Sequence, residues 1–338
     1  MSPVGTDTLA KVTDIYPMRI NPYVLSLIKE KGPSIARQYI PDPRELEDSS
    51  GMADPLGEEA DSPVPGITHR YPDRVLFLIS GVCPSICRFC TRKRKVGKWP
   101  PVTREEIERG IRYIEDTQEI RDVLLSGGDP LLLGTGFLET IISRIHAVPH
   151  VDIIRIGTRT ITALPQRITP DLVAMLRRYQ PLYINFHINH PDEITPQMRK
   201  AVDLLVDSGI VLGSQTVLLR GINDNAATIE RLMRGLVRIR VRPYYLLQGD
   251  LVQGTEHFRT KIQTGIDIIR QMRGWVSGLA NPQYVIDLPW GGGKIPVVPR
   301  YIQSMTDTSI EAENFRGNVH CYPQPDTEKT GEHEKQVD

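Results

Sequence analysis

From residue 75 onward, short apolar runs alternate with longer amphipathic stretches. The runs "VLFLIS", "DVLLSG", "VDIIRIG", "LYINFH", "IVLGSQTVLL", "VRPYYLL" and "QYVIDL" read as strands. Between them the apolar period lengthens to that of a helix. In "TREEIERGIRYIEDT", Thr103 and Glu106 form a capping box, and Ile107, Ile111 and Ile114 share one face. Strand and helix in strict alternation predict a parallel α/β sheet, and six or seven such units predict a barrel, complete or partial. In that architecture the C-terminal strand ends face the active site. Three cysteines follow the first run, "SGGDP" the second and "FHINHPDE" the fourth; Asp250 lies just past the sixth and Asp287 at the end of the seventh.

The flanks are less regular. Residues 1 to about 70 hold short helical patterns ("NPYVLSLIKEKG") and the acidic, Gly/Pro-punctuated stretch "EDSSGMADPLGEEADSPVPG". We expect an N-terminal helical extension over 1–70 that wraps the core, a barrel over 71–300, and a C-terminal segment over 301–338 whose polar end is disordered from about 323.

Composition narrows the classes. Lys+Arg equals Asp+Glu at 41 each, so no global field recruits nucleic acid or an anionic membrane. No apolar run approaches the roughly 20 residues that span a bilayer, and the first residues carry no apolar leader, so a cytoplasmic location is expected. Four cysteines, with Cys83, Cys87 and Cys90 clustered and Cys321 remote, do not make a disulfide framework. Thiolates holding a metal fit better.

Three thiolates at C-x3-C-x2-C spacing leave two readings. A zinc site needs a fourth ligand, for which His69, His187, His190 or Cys321 is available. A 4Fe-4S cluster held by three cysteines leaves one iron open to a small molecule. "SGGDP" is either a turn or a place where backbone approaches a ligand closely. "DLPWGGGKIPVVP" sets Lys294 behind three glycines; without Ser or Thr after the lysine it is no phosphate-binding P-loop. Lys294 is either a solvated lysine on a glycine turn or a partly desolvated amine able to form a Schiff base with an aldehyde cofactor, for which pyridoxal 5'-phosphate (PLP) is the candidate.

The cysteine loop followed by βα units resembles the radical S-adenosylmethionine (SAM) superfamily. From about Asn21 to Pro323 the chain resembles, more narrowly, the lysine 2,3-aminomutase family. The matching stretches are "DPLGEEADSPVPGITHRYPDRVL", "RDVLLSGGDPLL", "LPQRIT", "HINHPDEIT", "VLLRGIND", "VRPYYLLQGDL", "EHFRT", "VIDLP" and "GGGK". The resemblance implies a partial (βα)6 TIM-like barrel and three cofactors, a 4Fe-4S cluster on Cys83, Cys87 and Cys90, SAM, and PLP on Lys294. It implies reductive cleavage of SAM, a 5'-deoxyadenosyl radical and a 1,2-amino shift that interconverts L-lysine and β-lysine. An electron donor such as flavodoxin or ferredoxin and a homo-oligomeric assembly are implied as well.

Residue by residue, the resemblance places Ser126, Gly127, Gly128, Asp129 and Gln215 near SAM, and Arg70 and Arg74 near the PLP phosphate. Arg92 would bind the substrate carboxylate, and Asp250 and Asp287 the distal ammonium. Lys93, Arg94, Lys95 and Lys98 receive no role. Trp290 stands where many members have glycine, and either narrows the pocket or packs away. Leu247 and Gly249 stand where some lysine enzymes carry an aromatic residue or cysteine. Contacts carried by the longer cysteine-rich C-terminal segment of some members are not carried over. Two alternatives stay open: a related aminomutase acting on another amino acid, or supplying β-lysine for modification of a translation factor, and a non-catalytic metal-binding protein.

Overall fold

The structure, a computed structural model, describes residues 6–325. One nine-stranded sheet runs in chain order through β1 (Ile67–Tyr71), β2 (Arg74–Ser80), β3 (Asp122–Gly127), β4 (Ile153–Thr158), β5 (Leu182–His187), β6 (Val211–Leu218), β7 (Arg242–Gln248), β8 (Gln283–Leu288) and β9 (Gly293–Pro296). Neighbours from β2 to β8 are parallel. The outer strands β1 and β9 are antiparallel to theirs. Three helices precede the sheet, α1 (Thr6–Ile15), α2 (Pro22–Lys31) and α3 (Pro33–Tyr39). The crossovers carry α4 (Arg104–Asp116), α5 (Thr135–His146), α6 (Thr160–Ala163), α7 (Pro170–Arg177), α8 (Pro196–Asp207), α9 (Ala226–Arg238) and α10 (Ile262–Met272). Strands β2 to β7 with their helices make six βα units, and β8 adds a seventh parallel strand.

All seven predicted runs are strands, and the predicted capping box of Thr103 and Glu106 closes both ways at the start of α4. Strands β1 and β9 had no sequence signal because each is short and pairs along one edge only. The C-terminal segment holds a separate three-stranded antiparallel sheet, β10 (Ile302–Met305), β11 (Ser309–Glu313) and β12 (Val319–Pro323), with Met305, Val319 and Tyr322 largely exposed. Of the tail expected to be disordered from about 323, residues 326–338 lie outside the described residues.

Strand alternation separates two environments. Val123, Leu125, Ile154, Ile156, Ile184 and Phe186 point outward and pack against Ile111, Ile142, Leu176 and other helix residues in one continuous core. The opposite positions face the lumen and include charged and polar side chains. Asp122 pairs with Arg155 across β3 and β4, and His187 stands opposite Gln215 across β5 and β6. Such a lumen stays open to a polar ligand, unlike the apolar-filled interior of a closed barrel.

The residues that give the barrel its shape at the rim come from the unpatterned stretch 45–61. The loop after β2 has little regular structure, and its polar groups find partners in the N-terminal segment: Ile86 N–H donates to Arg19 O at 2.9 Å and Arg88 N–H to Gln38 O at 2.9 Å. Inside it, Glu45 accepts from Arg88 at 2.5 Å and from Lys93 at 2.7 Å, with all three side chains almost fully buried. Burial opposes ionisation of Glu45, but Arg88 and Lys93 outweigh it and hold the carboxyl below the usual range. Burial pulls Lys93 down to about 8 against the attraction of Glu45. Arg94 pairs with Asp54 and Glu59, and Lys95 with Glu59. Three of the four cations left unassigned by the sequence therefore anchor the acidic stretch to the cysteine loop.

Asp48 fixes the next part of the rim. Its carboxylate accepts backbone N–H groups from Ser50 and Gly51 in its own turn, and from Gly254, Thr255 and Glu256 beyond β7. Pro55 O then accepts from Trp290 N–H at 2.9 Å.

Truncating Glu45 to alanine leaves Arg88 and Lys93 buried without a counter-charge and should cost about 3–5 kcal/mol in chemical denaturation. Truncating exposed Arg121, paired with Asp152, should cost at most about 1 kcal/mol.

Candidate active site

Cys83, Cys87 and Cys90 sit half-buried on the loop leaving β2. Burial pushes all three thiols up, Cys87 to about 11, and the neighbouring sulfurs raise Cys83 further. Bare thiolates are thus disfavoured there, whereas bound iron would supply the missing positive charge. Among the described residues no three His, Cys, Asp or Glu side chains converge on one metal ion. Of the alternative zinc ligands, His69 bonds Tyr113 at 2.7 Å, His190 caps a turn before α8 and Cys321 is exposed on β12, while His187 lies near Arg159 and Arg92. Three separate thiols suit the separate corners of a cluster better than one tetrahedral ion. Arg159, at the end of β4, lies close enough to Cys87 to favour its thiolate, and its buried Nη1 has no partner.

"SGGD" closes against the root of this loop. Gly128 N–H donates to Ser80 O at 2.5 Å and Asp129 N–H to Val82 O at 2.7 Å. Gly127 has φ +132°, and a Cβ on it would stand 2.1 Å from Ser80 O; on Gly128 it would stand 2.5 Å from Val82 O. Only glycine permits that approach. Asp129 is buried and accepts from Leu131 N–H, Thr158 Oγ1 and Arg159 N–H. It ties β3 to β4, while Ser126 remains half-buried on the lumen side.

Gln215 stands beside His187 across β5 and β6, and burial together with two nearby arginines, Arg159 and Arg92, pushes the His187 imidazole down to about 3. His187 is therefore neutral at working pH.

Lys294, Asp287, Asp250 and Arg92 meet at the mouth, whereas Arg74 is the first residue of β2, exposed and paired with Asp73 at 2.8 Å. Lys294 Nζ pairs with Asp287 Oδ1 at 2.7 Å, its side chain still 35% exposed. Register brings them together, because Asp287 and Lys294 are direct partners across β8 and β9. Asp250 accepts from Thr91 Oγ1 at 2.7 Å. Burial, and then the charge of Asp287, lift Asp250 to about 6. Arg92 holds Glu58 through two bonds of 2.6 and 3.0 Å. Lys294 N–H donates to Tyr71 Oη at 2.8 Å, which bridges the gap between β1 and β9. Arg74 stacks on that Tyr71 ring at 4.9 Å, and Arg70 bonds Asp61 at 2.8 Å beside the glycine turn. Trp290 takes a left-handed φ of +59° and is 78% exposed, so it packs away from the lysine. Leu247 and Gly249 are half-buried near the end of β7 and just past it.

Four contributors had no sequence signal of their own: Glu58, Thr91, Tyr71 and Glu45. Each lies within or beside a quoted stretch, but its role depends on a partner far along the chain.

A cysteine loop after the first parallel strand, a glycine-built second strand end and a polar lumen define a radical SAM enzyme. The radical SAM superfamily model matches residues 77–233, and a lysine-2,3-aminomutase model matches 269–338. The L-lysine 2,3-aminomutase of Fusobacterium nucleatum is 48% identical over 331 residues, covering 96% of this chain and 78% of its own. That of Methanococcus maripaludis is 50% identical over 322 residues, covering 94% and 74%. The glutamate 2,3-aminomutase of Clostridioides difficile is 42% identical over 303 residues, covering 89% and 72%. This chain belongs to the lysine 2,3-aminomutase family. It is an isomerase of the radical SAM class, which carries a 4Fe-4S cluster and SAM and acts on a small molecule. No helix among the described residues is long and apolar enough to cross a membrane.

Substituting Gly127 by alanine should displace Ser80 and the loop root. Anaerobically purified G127A is expected to carry much less iron and visible iron-sulfur absorption than wild type, while its far-UV circular dichroism stays close to it.

Proposed function

We propose that the enzyme interconverts L-lysine and β-lysine, with PLP on Lys294 as third cofactor. The observation that carries substrate choice is the pair of carboxylates at the mouth. Asp287 is close enough to Asp250 to oppose its ionisation, and an amine, that of Lys294, already lies 2.7 Å from Asp287. Two carboxylates around one ammonium favour a cationic side chain and repel the second carboxylate of glutamate.

When bound, the cluster and SAM supply a carbon radical that abstracts hydrogen, and PLP delocalises unpaired spin while the nitrogen migrates. The chain's own residues do the rest. Cys83, Cys87 and Cys90 would hold the cluster. Ser126, Gly127, Gly128, Asp129 and Gln215 bound the SAM space. Arg70 and Arg74, beside Tyr71 and the glycine turn, hold the PLP phosphate. Arg92 binds the substrate carboxylate, while Asp250 and Asp287 bind its far end, fixing the length of substrate between them. The N-terminal segment over the rim keeps water from the lumen.

Among the described residues, the segment before β1 serves as wrap, the nine-stranded sheet with its helices as barrel, and β10 to β12 as an appended sheet. The exposed faces of β10 to β12 support a homo-oligomer, since a small sheet open on both faces gains little stability alone. A low-potential one-electron protein such as flavodoxin or ferredoxin supplies the electron, and the enzyme works in the cytoplasm.

Anaerobic incubation with SAM, reductant, PLP and equimolar L-lysine and L-glutamate, followed by mass-resolved product analysis, should yield β-lysine alone; turnover of glutamate in preference would contradict the assignment of the two aspartates. Lowering pH through about 6 protonates Asp250, removes one negative charge from the distal site, and should lower kcat/KM for lysine. In Asp250→Asn that acid limb should vanish, with kcat/KM at pH 8 down by about 10- to 100-fold.

A further inference from the structure

We propose that Glu58 is a positioning residue that aims Arg92 at the substrate's carboxylate, an inference that rests on the reading of Arg92 above. A guanidinium has five N–H donors on two usable edges. Glu58 occupies one edge, accepting from Nε at 3.0 Å and from Nη2 at 2.6 Å. The other edge, Nη1 with the second N–H of Nη2, has no protein acceptor among the described residues, and Nη1 is not sealed in as a buried orphan. A second carboxylate can therefore take the free edge bidentately, with Glu58 remaining on the first.

The surroundings hold Glu58 in place. Its side chain is 6% exposed, so withdrawing from Arg92 would leave a buried carboxylate unpaired, which is costly. The backbone on both sides is fixed: a Cβ on Gly57 would touch Gly291 N at 3.4 Å, and Glu59 N–H donates to Asp54 at 3.1 Å. Arg92 has long, flexible rotamers, and without Glu58 its planar edge would have no fixed direction. Thr91, the preceding residue, bonds Asp250, so one short segment aims both ends of the site. Glu58 also bears electrostatically on Asp250, so both belong to one charged site.

The test compares two ligands in the fully loaded enzyme. L-Lysine carries both recognition groups, while 1,5-diaminopentane keeps the amines and lacks the carboxylate. Dissociation constants are read from the perturbation of the PLP visible band. Glu58→Gln should weaken L-lysine by about tenfold or more and leave 1,5-diaminopentane within about twofold. Arg92→Lys should lose the same preference for L-lysine, and adding Glu58→Gln to it should change nothing further. Glu58→Asp, which keeps the charge, should lose less than Glu58→Gln.

Equal weakening of both ligands in Glu58→Gln and Glu58→Asp, or loss of iron and PLP in both variants, would make Glu58 a purely structural residue and overturn the proposal. Tighter L-lysine binding by Glu58→Gln would overturn it too, because Glu58 would then be a competitor for Arg92. If Arg92→Lys keeps the preference for L-lysine, the reading of Arg92 itself falls. If Arg92→Lys loses the preference and Glu58→Gln keeps it, only the role of Glu58 falls.

Discussion

Everything at the rim depends on the docking of one acidic, irregular stretch onto the cationic cysteine loop. Glu45 neutralises Arg88 and Lys93 inside the protein, Glu58 engages Arg92, and Asp54 and Glu59 engage Arg94. The same stretch reaches the other functional elements. Asp48 gathers the loop that follows Asp250, and the Pro55 carbonyl takes Trp290 N–H at the head of the glycine turn. The loop that carries the three cysteines and Arg92 has little regular backbone pairing of its own. Its geometry is supplied by charge partners, and because the central ones are buried, losing one member is far more damaging than losing a surface pair.

A second constraint is the charge balance of the mouth. Glu58, Asp250 and Asp287 face Arg92 and Lys294, so the carboxylates are in excess. Attaching a cofactor through the Lys294 amine would remove a further cation. The site then favours a ligand that brings a positive charge to the aspartates and a negative one to Arg92, which describes a zwitterionic amino acid with a cationic far end. Backbone register sets this arrangement, because Asp287 and Lys294 are cross-strand partners and β9 exists only to bring the lysine back across β8.

The barrel was legible in the sequence because its outward strand positions must be apolar to meet the helices, and alternation records that demand directly. The cysteines and Lys294 were singled out by their distinctive chemistry, and Arg92, Asp250 and Asp287 by the family resemblance. Residues 45–61 were not legible. Their conformation answers to partners far along the chain, such as Arg88 for Glu45 and Glu256 for Asp48, and no local period encodes such pairings. Gly127 and Gly128 were expected beside a ligand; their tight approach to Ser80 and Val82 gives them a structural task that composition alone does not reveal. Tyr71 escaped notice for the same reason as Glu58, since its partner, the Lys294 N–H, lies across the gap between the sheet's two edges.

Native-state hydrogen exchange on the anaerobically purified protein tests the central claim most directly. If the acidic stretch and the cysteine loop form one unit, amides in residues 45–61 and 86–98 should share one opening free energy, and both should exchange faster together at low denaturant. Sustained protection of residues 86–98 while residues 45–61 open would contradict that account and would mean that the cysteine loop holds its shape without the docked segment.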